Sequence, residues 1–391
     1  MVLFLVPQSL WGFDLSKQVV EYKLSNGMKW LFVVRPQAPV FSGVVMVRVG
    51  GVDEVSGKTG LAHMFEHMAF KGSSRIGTKD FSKEKPILKE IEEIGEKLNL
   101  EKHKNNPDKQ VIEELSKKMQ AAQKADDELQ VRNEIWEIMS RNGGNDLNAY
   151  TSKDLTSYHV SLPVSRLELW ANVVVDMIFD PQYREFYTER NVVAEERRVR
   201  VENSPDGLLY EKLLSEAFVD GPYHWGTIGY EKDISNLTIG DAKEFHSKYY
   251  VPNNMIGVLV GDFKISEAKR IIEKTFGHYP AGKKPALATN SGKAVGDIVE
   301  HFSYKAEPSL IVAFHKPTLP DPTEYTFDVI NALLCSGESS RLRKRLIYEK
   351  KMVQDISCSV SFPGSRLNNL FSIWIDPLKK YSSDQILNEI Y

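Results

Sequence analysis

The chain has 391 residues, of which 42% are hydrophobic, 26% charged and 10% aromatic. At about 150 residues per domain this allows two or three domains with sizeable cores, and it excludes collagen, coiled-coil rods and wholesale disorder. The 50 basic side chains against 53 acidic ones leave a net charge of -3, so no overall basic field draws the chain to nucleic acid or anionic lipid.

Residues 1–16 open with MVLFLVPQSLW, apolar like the core of a secretory signal but without a basic leader or a clear small-residue cleavage site. They read as the remnant of an export signal or as a disordered N-terminus. No later run approaches the 18 or so apolar residues that a membrane helix needs, so no stable membrane span is expected. Residues 18–24 and 28–35 are β-branched-rich runs joined by Ser25-Asn26-Gly27, which predicts a hairpin. A third strand follows at 43–49, and GLAHMFEHMAF at 60–70 predicts a helix beyond a chain-turning glycine pair.

From 81 to 141 the composition shifts to Lys, Glu, Gln and Ala, with Ile87, Ile91, Ile94 and Leu98 at helical spacing. This predicts two or three charged helices, broken near Asn105-Asn106-Pro107, forming an exposed helical hairpin or an arm that docks a partner. Its lysines alternate with acids and lack aromatics, which argues against RNA binding. Strands are expected at 146–151 and 157–162, then helices at 164–178, 185–201 and 206–218. A buried strand at 254–261 and a helix at 266–276 complete this part.

The Gly, Lys, Pro and Ala-rich stretch 279–294 reads as a linker. Strands near 298–304 and 309–315, then helices at 323–334 and 384–391, echo the order of the N-terminal part, a weak internal duplication. The division is therefore 17–280 with an insertion at about 81–141, a linker at 281–294, and a second domain at 295–391. Cys335 and Cys358 allow at most one disulfide and read as buried small hydrophobes. Cysteine poverty of this kind fits the cytoplasm and an exported protein equally.

The chemistry concentrates in His63-Met64-Phe65-Glu66-His67. Histidines four apart stand one turn apart on a helix face, where both imidazoles reach a single ion. Glu66 projects to the same side and can accept a proton from a water activated there. The pattern H-x-x-E-H inverts the commoner zincin order, and a catalytic zinc needs a third protein ligand from elsewhere. Downstream, YTERNVVAEERRVR offers Glu189, Glu195 and Glu196. Glu189 and Glu196 are separated by about 700° of helical turn and so form one face, whereas Glu195 points roughly 120° away from Glu189. On periodicity alone that helix reads first as a solvated one laced with Glu and Arg pairs, and as an acidic ligand face second. The other histidines, His224 in DGPYHWG included, lack metal spacing.

With ERNVVAEE downstream of the H-x-x-E-H segment and NAYTSKDLTSY between, the sequence resembles the insulinase/pitrilysin family of zinc metallopeptidases, particularly its longer bacterial members. VPNNMIGVLVGDF and GESSRLRKRL extend the resemblance along the chain. It implies an α+β fold of two homologous domains, each a mainly antiparallel or mixed sheet packed by helices, with the sequence ending partway through a truncated second copy. It implies one Zn2+ per chain held by His63, His67 and Glu196, with Glu66 as general base and Glu189 supporting catalysis. It implies an edge strand at Leu147-Asn148-Ala149-Tyr150-Thr151 that pairs with extended peptide substrate, with Asn148 and Ala149 in contact. The activity implied is endopeptidase cleavage of short or unfolded peptides, in a periplasmic or secreted protein, with a cytoplasmic one as the alternative. The family often carries an Arg and a Tyr seven apart in the second domain; Ile347 and Gln354 stand there instead. That loss favours a heterodimer with a related subunit supplying the pair, or a homodimer using other donors. The competing reading is a non-catalytic peptide-binding or assembly subunit.

Overall fold

Residues 15–391 are described by the structure, a computed structural model. The export-signal reading rests largely on residues 1–14 and so lies outside the described residues.

The first unit is built on a six-stranded mixed sheet. Its elements are β1 (Val20–Lys23), β2 (Lys29–Val34), β3 (Val40–Val47), α1 (Leu61–Ala69), α2 (Phe81–Lys102), α3 (Lys109–Asp127), α4 (Glu134–Arg141), β4 (Asn145–Thr151), β5 (Thr156–Pro163), α5 (Leu167–Phe179), α6 (Phe186–Arg197), α7 (Pro205–Ala217), α8 (Glu231–Ile234), α9 (Ile239–Tyr249), β6 (Met255–Gly261) and α10 (Ile265–Thr275). The strand order is β1-β2-β6-β3-β5-β4, with β2 and β6 parallel and every other pair antiparallel. The β1–β2 hairpin turns where expected, at Gly27 with φ +89°. Residues 81–141, expected to be an insertion, form three helices, and the Asp80 and Asp108 carboxylates cap α2 and α3 by accepting from the second and third backbone N–H groups.

The core lies between the sheet and α5, α9 and α10. Trp30 and Trp170 meet edge to face with ring centroids 6.2 Å apart, and Phe276 closes on Trp30 at 4.9 Å. Glycines on the sheet make the room: a Cβ at Gly43 or Gly257 would sit 2.4 Å from the Trp170 or Trp30 ring.

The second unit comprises β7 (Leu310–Lys316), α11 (Glu324–Leu334), β8 (Val353–Phe362), β9 (Asn369–Pro377) and α12 (Ser383–Ile390). Its antiparallel order β7-β9-β8 repeats the order β3-β5-β4, and α11 follows β7 as α1 follows β3. The duplication expected from element order is thus a repeat of topology.

Four expectations change. Residues 298–304 form no strand: Val299 and Phe302 are exposed, and no described strand lies alongside to accept the backbone groups. Helices α8 and α9 and strands β8 and β9 stand where no element was expected. The stretch 281–294 is more than a tether, since Val219 N–H donates to Gly292 O and Ala294 N–H to Ala217 O, stitching it to the end of α7. Finally, Cys335 and Cys358 are paired in a disulfide with Cα atoms 5.8 Å apart, tying the end of α11 to β8, rather than packing as separate small hydrophobes.

The two units meet at the loop after β8. Asp154 Oδ2 accepts from the backbone N–H of Ser365 (2.6 Å) and Arg366 (3.2 Å), and Tyr223 Oη accepts from Leu367 N–H. The Arg366 guanidinium reaches Asp53, both side chains being buried. Leu367 and Leu370 pack with Val52, Leu214 and Phe218 around these contacts.

Candidate metal centre

Helix α1 is held by its N-terminus. Gly60 adopts φ +86°, and a Cβ there would lie 2.3 Å from Ile228 O, so only glycine fits. The Glu54 carboxylate accepts from Gly60 N–H (3.0 Å) and Ala62 N–H (2.8 Å), supplying acceptors to the orphan donors of the first turn. Burial pushes Glu54 up to about 7, against the pull of Lys153 and those two donors.

From that helix His63 and His67 project side by side, ring centroids 4.9 Å apart and edge to face. Helix α6 brings Glu196 against them: its Oε2 lies 3.7 Å from His63 Nε2 and 3.6 Å from His67 Nε2. One ligand atom from each residue falls within 4.8 Å of the other two, the one such His/Cys/Asp/Glu group among the described residues. These separations are long for hydrogen bonds. Ligand atoms placed tetrahedrally about 2.0–2.1 Å from one zinc stand about 3.3 Å apart, and two imidazoles with a carboxylate are a known zinc donor set, so the residues present fit the ion.

Around the triad the charges are ordered. Burial, then the neighbouring His67 charge, depress His63 to about 4 and keep it neutral. Burial also opposes charge on His67, but Glu189 and Glu196 outweigh it and hold it up at about 9. Glu189 Oε2 lies 3.1 Å from His67 Nδ1, and its other oxygen takes Lys71 Nζ, which also bonds Glu185. Arg200, from a π-helical turn that prolongs α6, pairs with Glu196 Oε1 at 2.9 Å. Glu195 faces away and pairs with Arg198 on the surface, in keeping with the helix phase.

Glu66 accepts a hydrogen bond from Thr151 Oγ1 at 2.5 Å, and burial raises its pKa. Thr151 ends β4, the edge strand of the sheet, where Ala149 and Thr151 share one face and exposed Asn148 and Tyr150 the other. A cavity of about 270 Å³ opens beside Glu66 and His67, walled by Phe70, Lys71, Arg132, Trp136 and Glu189. Lys71, Thr151, Glu185 and Arg200 are neighbours the motif does not announce; Lys71, one turn after His67, and Thr151, two after Ala149, could have been found by spacing. His224 Nδ1 lies 2.6 Å from Phe218 O, a local structural contact. Ile347 is part-buried in the second unit's core, and Gln354 is exposed on β8.

Family profiles match along the chain: insulinase (peptidase family M16) at 32–126 and 121–229, and the peptidase M16 inactive domain at 236–390. The chain is 28% identical over 339 residues to the zinc protease PqqE of Helicobacter pylori, a match covering 84% of this chain and 64% of that protein. It therefore spans just under two thirds of that relative. Among solved structures, a protease from Helicobacter pylori superposes with TM-score 0.73 at 26% identity, over 95% of this chain and 78% of that one. A peptidase M16 inactive domain from Pseudomonas fluorescens gives 0.72 at 17% identity over the same shares, a likeness of fold. With the profiles spanning most of its length and the fold repeated in solved members, the chain belongs to the insulinase family, peptidase family M16.

Proposed function

We propose that the protein is a zinc-dependent endopeptidase acting on short or unfolded peptides. The observation that carries the reading is the convergence of His63, His67 and Glu196 within 4.8 Å, with Glu66 on the same helix as the two histidines. His63, His67 and Glu196 hold one Zn2+, which when bound supplies Lewis-acid chemistry, acidifying a water and polarising a peptide carbonyl. Glu66 is the general base: Thr151 occupies Oε2 and orients the carboxylate, leaving Oε1 to take a proton and return it to the departing amine. Glu189 fixes the His67 ring through Nδ1 and is itself held by Lys71. An extended substrate adds to the outer edge of β4, so that Asn148 and Ala149 contact it through backbone groups.

The family's Arg and Tyr positions hold Ile347 and Gln354, so a related subunit is the preferred source of those groups, with a homodimer as the other arrangement. The Cys335–Cys358 disulfide supports an oxidising compartment, periplasmic or extracellular. Among the described residues no helix is long and apolar enough to cross a membrane.

The test is bound zinc per chain by elemental analysis on wild type, Glu196→Gln and Glu66→Gln, with peptide cleavage measured in parallel. About one zinc is expected in wild type and in Glu66→Gln, and far less in Glu196→Gln. Glu66→Gln should lose at least about 100-fold in turnover. Undiminished cleavage by Glu66→Gln would remove the general-base assignment, and folded wild type without zinc would turn the reading to a peptide-binding subunit.

A further inference from the structure

The zinc reading leaves open what sets the distance between α1 and α6, which carry the three ligands and are far apart in sequence. We propose that Arg184, neutralised by Glu84 of the insertion, is the positioning residue that locks the two helices in register for the metal; this rests on that reading.

Arg184 precedes α6, and its side chain is 2% exposed, against 0% for Glu84. A guanidinium has five N–H donors, and here all five find acceptors. Nε and Nη2 fork onto the Glu84 carboxylate at 2.6 and 2.8 Å. Nη1 donates to Lys71 O and Ile76 O, and Nη2 to Ser73 O at 2.8 Å. Those three carbonyls belong to the loop that follows α1, which ends at Ala69, two residues after His67, so the loop wraps the guanidinium. Gly72, at φ +90°, makes this possible: a Cβ there would lie 2.9 Å from Nη1.

The backbone is bent to drive Arg184 inward. Tyr183 and Glu185, on either side of it, both stand at φ +56°, a left-handed conformation that non-glycine residues hold only where the surroundings over-determine it. Glu185 then bonds Lys71 Nζ, so the residues on both sides of the gap between the helices are tied twice, by carbonyls to Arg184 and by ammonium to Glu185 and Glu189. Glu84 lies in the first turn of α2. The helical insertion therefore contributes the counter-charge without which Arg184 could not be buried.

The brace predicts that metal affinity and fold stability can be separated. Arg184→Met/Glu84→Leu exchanges the buried pair for apolar side chains, a replacement that cores commonly tolerate, but it releases the three carbonyls. In the full chain this double variant is expected to unfold cooperatively yet bind Zn2+ about 10- to 100-fold more weakly in chelator competition. Its Co2+-loaded form should show a visible spectrum changed from wild type, a signature of altered ligand geometry that loss of stability alone would not produce. If the double variant fails to fold, Arg184→Lys serves, since one ammonium keeps the charge but cannot span Glu84 and three carbonyls; the same weakening is expected. A folded variant with wild-type Zn2+ affinity and Co2+ spectrum overturns the brace alone. Wild type that binds no Zn2+ overturns the zinc reading and the brace with it.

Discussion

Burial raises the pKa of several carboxylates outside the candidate metal centre, and Asp126 is the simplest to read. It is 2% exposed, Oδ2 accepts from Gln130, and Oδ1 has no hydrogen-bond partner. Burial first, and then the nearby Glu84 charge, push its pKa up to about 6, against Gln130 and Arg184. A carboxyl raised in the folded state binds its proton more tightly there than in the unfolded chain. Its ionisation therefore removes stability as pH rises from about 4 to about 6, and the full loss is present at pH 7. Asp126→Asn should add about 1 kcal/mol at pH 7.5, after discounting for solvent screening, and almost nothing at pH 4. Urea denaturation of both proteins at the two pH values checks this; an equal gain at both would show that the charge is not the cause.

At the scale of the element, the first sheet depends on what is left out of it. Gly257 on β6 lies under the Trp30 ring, and Trp30 is fully buried between Trp170 and Phe276. A methyl group 2.4 Å from ring carbons cannot be absorbed by a flexible side-chain end, so the indole or the strand must shift. Gly257→Ala should therefore destabilise by about 1–3 kcal/mol. Gly277→Ala, where a new Cβ meets nothing within 4 Å, should stay within about 0.5 kcal/mol of wild type. Thermal unfolding of the two variants side by side makes the comparison, and equal effects would mean that the space under Trp30 is not limiting.

At the scale of the whole molecule, the two units are joined through residues close in sequence to those that support the candidate metal centre. The loop carrying Ser365 and Arg366 sits on Asp53, Asp154 and Tyr223. Asp53 adjoins Glu54, the residue that caps α1, and Asp154 lies in the turn that follows Thr151, the partner of Glu66. Arg366→Ala leaves the Asp53 carboxylate, whose pKa burial already raises, without its cation. It should cost about 3 kcal/mol and loosen the second unit, so that calorimetric unfolding splits from one transition into two. A single unchanged endotherm would show that the units are coupled elsewhere.

Much of this was legible in the chain. The β1–β2 hairpin, the helix carrying His63, Glu66 and His67, and the shared face of Glu189 and Glu196 apart from Glu195 follow from turn chemistry and the 3.6-residue period, which act between residues a few positions apart, whereas Glu196 as a ligand was implied by the family resemblance. The tertiary structure decided what depends on distant partners. Residues 298–304 have the apolar pattern of a strand but pair with no strand among the described residues, whereas β8 and β9, unanticipated, bond each other. Cys335 finds Cys358 because α11 packs on β8, and Thr151 finds Glu66 because β4 closes the sheet beside α1. Local periodicity settles which residues share a face; only the packed chain, offsetting the entropy of ordering segments far apart in sequence, settles what that face meets.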